Sequence, residues 1–168
     1  YNDVSFSKAS ADQVLEVYSA DKVTHRLKDA SGSSDSITVK FATKSADKAS
    51  DRTVGDLDIG ETETLNLDNS GLSSGKTTTL SALSADSKLT TLNITGDSNL
   101  TITNHGSDNT KLATINASAF TGDLTLSDAT ASLAQTITGG SGNDTVTFGS
   151  NLTEADVVDL GGNTVITS

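Results

Sequence analysis

The chain predicts an all-β protein, a right-handed parallel β-helix or β-roll solenoid, and three observations carry that expectation. The first is the stretch Gly139-Gly140-Ser141-Gly142-Asn143-Asp144-Thr145-Val146-Thr147. It fits G-G-x-G-x-D-x-U-x, with U a large apolar residue, at every fixed position, and that pattern marks the calcium-binding turn of stacked β coils. The second is an internal repeat. Lys88-Leu89-Thr90-Thr91-Leu92-Asn93 and Lys111-Leu112-Ala113-Thr114-Ile115-Asn116 agree at five of six positions when Leu and Ile are equated. The third is composition: no Pro, Cys, Met or Trp, and 4% aromatic residues, which suits a thin aliphatic interior.

Residues 1–55 form the first predicted segment, an N-terminal β segment. They hold three strand candidates, Gln13–Ser19, Lys22–Lys28 and Ser36–Ala42, chosen over a helix across Ala9–Lys28 because Val and Thr are frequent there. The Ala20-Asp21 step suggests a hairpin, so the segment is either a small antiparallel cap or a continuation of the solenoid in irregular coils. The run Ser31-Gly32-Ser33-Ser34 reads as a loop.

Residues 56–168 form the second predicted segment, the parallel β-helix. A boundary near Asp56 follows from charge: residues 1–55 carry eight acids and eight bases, whereas residues 56–168 carry fourteen acids and three bases. Glycine shifts with it, from two to twelve. Thr64-Leu65-Asn66-Leu67 is an earlier copy of the repeat core. A second ladder follows, through Leu100-Thr101-Ile102, Leu124-Thr125-Leu126, Val146-Thr147-Phe148 and Val165-Ile166. Apolar residues alternate with Thr or Asn, which is strand period. Two short strands per repeat of roughly 22 residues read as a solenoid. Stacking is expected to place Leu65, Leu92, Ile115 and Ile137 in one interior column and Leu100, Leu124 and Val146 in another. Asn66, Asn93 and Asn116 should stack as an amide ladder.

The glycine turn is the candidate metal site. Gly139, Gly140 and Gly142 allow a sharp bend that presents carbonyl oxygens, and Ca2+ is a hard cation that takes six to eight oxygens. Asp144 supplies a carboxylate, flanked by Asn143, while Val146 anchors the departing strand. One turn cannot close the shell. The degenerate turn Asp159-Leu160-Gly161-Gly162-Asn163 is the expected partner, with Asn163 where an Asp would stand and Asp159 or Asp123 as substitutes. One complete motif predicts weak binding, about 0.1–1 mM, as in extracellular modules. The alternative is a glycine-rich turn with no ion.

The net charge of −11 argues against nucleic acid and anionic membrane as partners. The absence of Cys removes disulfides and thiol chemistry. No apolar run approaches the roughly 18 residues of a membrane span. Tyr1 stands where a complete chain would begin with Met, so a segment of a longer polypeptide is expected, with targeting signals elsewhere. Gly71-Leu72-Ser73-Ser74-Gly75-Lys76-Thr77 is one residue short of a phosphate loop and reads as a Ser/Gly loop beside a coil. Asp56-Leu57-Asp58-Ile59-Gly60-Glu61-Thr62-Glu63 reads as an acidic outer strand face. His25 and His105 stand alone and are expected on the surface. Nothing supplies a catalytic His or acid pair, so an enzyme is not expected.

On these residues the chain resembles secreted bacterial proteins of the RTX type, and most closely surface-layer proteins. Phrases such as Leu92-Asn93-Ile94-Thr95-Gly96, Thr114-Ile115-Asn116-Ala117-Ser118-Ala119-Phe120-Thr121-Gly122 and Ile137-Thr138-Gly139-Gly140 are similar in style to that family's β-helical modules. The resemblance covers roughly residues 36–168 and is specific only at the glycine turn. It implies type I secretion, folding triggered by external calcium, and an extracellular place at the bacterial cell surface. It also implies partners: other copies of the chain in a lattice, and cell-surface polysaccharide through regions outside this segment. Asp144 and the carbonyls of Gly140 and Gly142 would be the ligands. The chain departs from RTX toxins and proteases in having one intact turn and no tandem array. The rival reading is an adhesin segment or secreted RTX-type binding module, which predicts a concave or apolar exposed patch.

Overall fold

A computed structural model describes residues 3–85, 87–105, 109–127, 133–162 and 164–167. Asn163 falls outside them. The described strands are, in chain order, β1 (Val4–Ala9), β2 (Gln13–Val17), β3 (Lys22–Leu27), β4 (Ser36–Phe41) and β5 (Arg52–Ile59). Next come β6 (Thr64–Asn69), β7 (Thr77–Ala85), β8 (Thr91–Gly96), β9 (Asn99–Ile102) and β10 (Thr114–Asn116). The chain ends with β11 (Leu124–Ser127), β12 (Thr136–Thr138), β13 (Asp144–Thr147), β14 (Val157–Asp159) and β15 (Thr164–Thr167). Helix among the described residues is limited to single 3-10 turns at Ser45–Asp47 and Gly149–Asn151, and none is long and apolar enough to cross a membrane.

The odd-numbered strands form one sheet and the even-numbered strands the other, each in sequence order. The strand pairs within both sheets are parallel. Each coil therefore gives one strand to each sheet, and successive coils stack: the fold is a β-solenoid. The cause is the alternation in sequence. Strands such as β3, β4 and β6 read intermediate–buried along their length, because side chains of a strand point alternately to its two faces. One coil has only a handful of inward residues, and stacking removes them from water.

The expected column is present. Leu65 pairs with Leu92, Leu92 with Ile115, and Ile115 with Ile137; Ile37 extends it by one coil. All five are at most 1% exposed. Asn66, Asn93 and Asn116 stack in register on the outer face. The Asn93 Nδ2 donates to Asn66 Oδ1 at 2.9 Å. Asn116 instead accepts from the Ser118 backbone N–H at 3.1 Å, so the amide ladder closes over one step.

Of the two readings of the N-terminal segment, the structure shows the continued solenoid. The N-terminal segment is not an antiparallel cap, nor do β2 and β3 form a hairpin. β2 pairs with β4 and β3 with β5, in opposite sheets. Residues 18–21 make a coil corner instead, and Gly55 of the following coil crosses it so closely that a Cβ there would lie 1.8 Å from the Asp21 carbonyl oxygen. Asp56, where charge and glycine content change, lies inside β5, which pairs with strands on both sides.

The second column is also different. Val146 pairs with Leu126, and Leu126 with Ile102; the position facing Leu100 and Leu124 belongs to Asp144. A slip of two residues keeps every side chain on its own face, so alternation alone does not distinguish the two registers.

His25 and His105 are buried, at 2% and 4% exposure. His25 lies in an inward column between Phe6 and Ile59, and neither of its ring nitrogens has a hydrogen-bond partner. Burial, reinforced by the Arg26 charge and opposed by Glu61, lowers its pKa below the ordinary imidazole value. As pH falls through that ordinary value, the unfolded chain takes up a proton that the folded chain refuses, and stability is lost. The melting temperature should therefore drop more steeply between pH 7 and pH 5 in the native chain than in His25→Leu. Equal slopes for the two would refute this assignment.

The readings of 71–77 and 56–63 hold: the first lies largely in the loop before β7, and the second supplies β5 with outward Asp56 and Asp58. Lys22 reaches these carboxylates at 2.9 and 3.1 Å, and Arg26 reaches Asp58 at 2.8 Å.

Candidate metal centre at the glycine corner

The corner runs from the end of β12 to the start of β13, and neighbouring turns press on it from both sides. A Cβ on Gly140 would lie 2.0 Å from the Phe120 carbonyl oxygen, and one on Gly142 would lie 2.1 Å from the Gly122 oxygen. From the following coil, a Cβ on Gly161 would lie 2.3 Å from the Gly140 oxygen. Backbone stacks directly on backbone here, with no room for a side chain. Gly161 also has φ +71°, a conformation that disfavours L side chains.

Asp144 follows this turn and points inward. It is 1% exposed and sits where the two preceding coils carry Leu. Its carboxylate is held by two backbone donors: the Leu124 N–H reaches Oδ1 at 3.0 Å, and the Gly140 N–H reaches Oδ2 at 2.7 Å. The first bond joins two coils and the second closes the corner on itself. A buried carboxylate bonded to two N–H groups has part of its lost hydration replaced.

The other expected ligands spread around the corner. Asp123, one coil earlier, accepts at Oδ1 from the backbone N–H of Asn143 at 2.8 Å and from its Nδ2 at 3.1 Å. Asp159, one coil later, accepts at Oδ1 from the Gly161 N–H at 3.1 Å, while its carbonyl accepts from the Gly139 N–H at 2.7 Å. The structure thus brings Asp123 to Asn143, Gly140 to Asp144, and Asp159 to Gly139. Among the described residues no three His, Cys, Asp or Glu side chains converge as a metal cage.

The packing at Gly139 bears on whether the corner suits a cation. A Cβ there would lie 2.5 Å from Asp144 Oδ2, 2.6 Å from the Leu160 carbonyl oxygen and 2.7 Å from the Leu160 Cα. The two coils are thus packed against each other here, and oxygens of both, the donor type calcium takes, lie close to one point. The carboxylate already serves two N–H groups, so the ion's gain must exceed the loss or reshaping of those bonds. That competition would lower the affinity of any ion there.

Sequence reasoning missed the Asx column beside this site. Asp51, Asn99 and Asp123 each accept, at Oδ1, the backbone N–H of the next coil's residue at that level: Thr77 at 3.0 Å, Asp123 at 3.0 Å and Asn143 at 2.8 Å. The signal was legible as an Asp or Asn just before β5 and β11 and at the first residue of β9.

A second concavity lies away from the corner. It is a cleft of about 560 Å3 lined by residues including Tyr18, Lys44, Asp47, Arg52 and Leu72. Arg52 spans its floor, donating to the carbonyls of Ala42 at 2.5 Å and Phe41 at 3.3 Å and to the hydroxyls of Thr43 at 2.9 Å and Thr78 at 2.8 Å.

The fold and corner define a β-solenoid with a glycine-rich, carboxylate-containing turn. Comparison with protein-family models, with curated proteins and with solved structures returned no match.

Proposed function

We propose that the chain is a structural module of a bacterial cell-surface layer, extracellular, stabilised by calcium and tiled with other copies of itself. The observation that supports the reading is the juxtaposition at Gly139, where the Asp144 carboxylate of one coil and the Leu160 carbonyl of the next lie close to one point. Asp144 and backbone carbonyls of the two stacked turns would hold the ion, with Asp123 and Asp159 adding negative charge nearby. Calcium would supply charge neutralisation in a segment of strongly acidic balance and tie adjacent coils together.

That juxtaposition exists only when the two turns are stacked, so an ion bound there would favour the folded chain by mass action. Low calcium inside the cell and high calcium outside would then couple folding to export. A stack whose sheets present repeated polar rows suits construction better than turnover of a substrate.

The test is assembly. With millimolar calcium the chain should form particles that scatter light and appear as ordered arrays by electron microscopy, and chelator should disperse them. A monodisperse monomer under both conditions would defeat the lattice reading.

A second reading has one observation in its favour. The cleft at Tyr18 is the concave patch that a glycan- or protein-binding module requires, with Tyr18 46% exposed at its edge. Binding on a glycan array by a chain that does not assemble would favour it.

A further inference from the structure

The corner between β4 and β5 takes ten residues, 42–51, against four at 18–21 on one neighbouring coil and seven at 70–76 on the other. The longer loop builds one wall of the Tyr18 cleft, whose volume is about 560 Å3 and suits a small ligand. The loop is pinned to both neighbouring coils. The Ala42 N–H donates to the Val17 carbonyl at 2.9 Å, and the Ser73 N–H donates to the Lys48 carbonyl at 2.7 Å. A hollow held open by such bonds is formed before a ligand arrives.

This stretch is basic in an acidic chain. Lys40, Lys44, Lys48 and Arg52 fall within thirteen residues that hold two acids, Asp47 and Asp51, whereas the whole chain carries 11 bases and 22 acids. The ion pairs among the described residues take Lys22, Arg26, Lys76 and Lys88; neither Lys44 nor Arg52 makes one. Arg52 is half-buried, with its guanidinium 5.5 Å from the Phe41 ring centroid. The hydrogen bonds of its Nη atoms all go to neutral oxygens. Burial lowers its pKa and no carboxylate opposes the shift, yet a guanidinium stays protonated. A partly desolvated cation without a counter-ion is a cost that the fold itself does not offset.

The rest of the lining selects what carries the counter-ion. Lys44 holds its Nζ 6.0 Å from the Tyr18 ring centroid, so a cation stands beside an exposed aromatic ring. Ser50 and Thr53 add hydroxyls, and Asp47 and Asp51 add acceptors. Asp51 is committed to the Thr77 N–H at 3.0 Å, which leaves Asp47 for a ligand hydroxyl. We infer that the Tyr18 cleft binds a uronic-acid residue of a glycan, with its carboxylate at Lys44 in the field of Arg52 and its ring against Tyr18. The inference rests on the binding-module reading of this cleft and adds the charge of the ligand; it needs neither calcium nor assembly.

Other anions fit the lining less well. Two carboxylates in the hollow repel a dense polyanion such as nucleic acid. An acidic peptide would use the cations equally, but it offers no ring of hydroxyls to Asp47 and Tyr18. A neutral sugar would use the ring and the acceptors and leave both cations without a partner.

The experiment is calorimetric titration of the chain in chelator at low salt, with far-ultraviolet circular dichroism as a check on folding. The probes are oligogalacturonate and oligomannuronate, the methyl ester of each, which keeps the rings and removes the charge, and tetraglutamate. The native chain should bind at least one uronate about tenfold more tightly than its ester, and more tightly than tetraglutamate. Lys44→Gln should erase that preference. Tyr18→Ala should weaken acid and ester alike by about threefold to tenfold. Lys111→Gln, an exposed position in the loop before β10, should match the native chain. Equal affinity for acid and ester would leave a glycan cleft standing and overturn the acidic assignment, as would a folded Lys44→Gln chain that keeps the preference. Binding of neither would overturn the inference and the glycan cleft together. Tetraglutamate bound as tightly as uronate would assign the cleft to acidic peptides and also overturn the inference.

Discussion

Gly142→Ala is expected to destabilise the chain by about 3 kcal/mol or more, at the upper end of what overpacking costs. A methyl there would lie 2.1 Å from the Gly122 carbonyl oxygen and 2.6 Å from its carbon. Both belong to backbone of the preceding coil, which cannot rotate aside as a flexible side chain would. The coils must separate locally, and the Asp123 bond to the Asn143 N–H would stretch with them. Gly149→Ala is the control. It has φ +57° and nothing within 4 Å of an added Cβ, so its cost is conformational alone, about 1 kcal/mol. Denaturant titration of the two variants separates proximity from backbone freedom. Equal losses would show that the corner does not stack as tightly as described.

Asp144→Ala is expected to cost about 2–5 kcal/mol in chelator, before any metal is considered. The substitution strips the Leu124 and Gly140 N–H groups of their acceptor in a buried setting, and each unsatisfied donor costs about 1–3 kcal/mol. Asp144→Asn should fall between native and Ala, because one amide oxygen still accepts while its NH2 faces the second donor. A folded Asp144→Ala chain as stable as the native one in chelator would mean that water or a shifted backbone satisfies both donors.

Much of the solenoid was legible because the repeat copies share residues as well as period. Thr64-Leu65-Asn66, Thr91-Leu92-Asn93 and Thr114-Ile115-Asn116 align without ambiguity, and they stack as read. The N-terminal coils lack such copies. Val4, Phe6 and Val14 are 39–65% exposed at the end of the stack, so neither β1 nor the side-by-side placement of β2 and β4 announces itself. The Ala20-Asp21 corner looks like a hairpin turn because a solenoid corner and a hairpin turn use similar short polar steps. What separates them is Gly55, more than thirty residues away.

The candidate site was legible as residues but not as bonds. The glycine pattern located the corner, and stacking explains why Gly140 and Gly142 have no side chains. Asp144 was expected to face a ligand with Val146 opposite Leu124. In the fold it takes the aliphatic position itself and is bonded to N–H groups. A carboxylate in a Leu column violates the inside-out rule, and only the register exposes it. Buried His25 has the same origin: it occupies an inward position in an alternating strand, where parity outweighs polarity.

The most direct test of the account is the melting temperature of the native chain in about 10 mM calcium against chelator, with Asp144→Ala beside it. For a dissociation constant of about 0.1–1 mM, calcium should stabilise the native fold by about 1.4–2.7 kcal/mol. That corresponds to a rise of about 3–10 °C for a chain of this length. The account predicts that rise in the native chain and none in Asp144→Ala. Superimposable native melting curves in calcium and in chelator would contradict it.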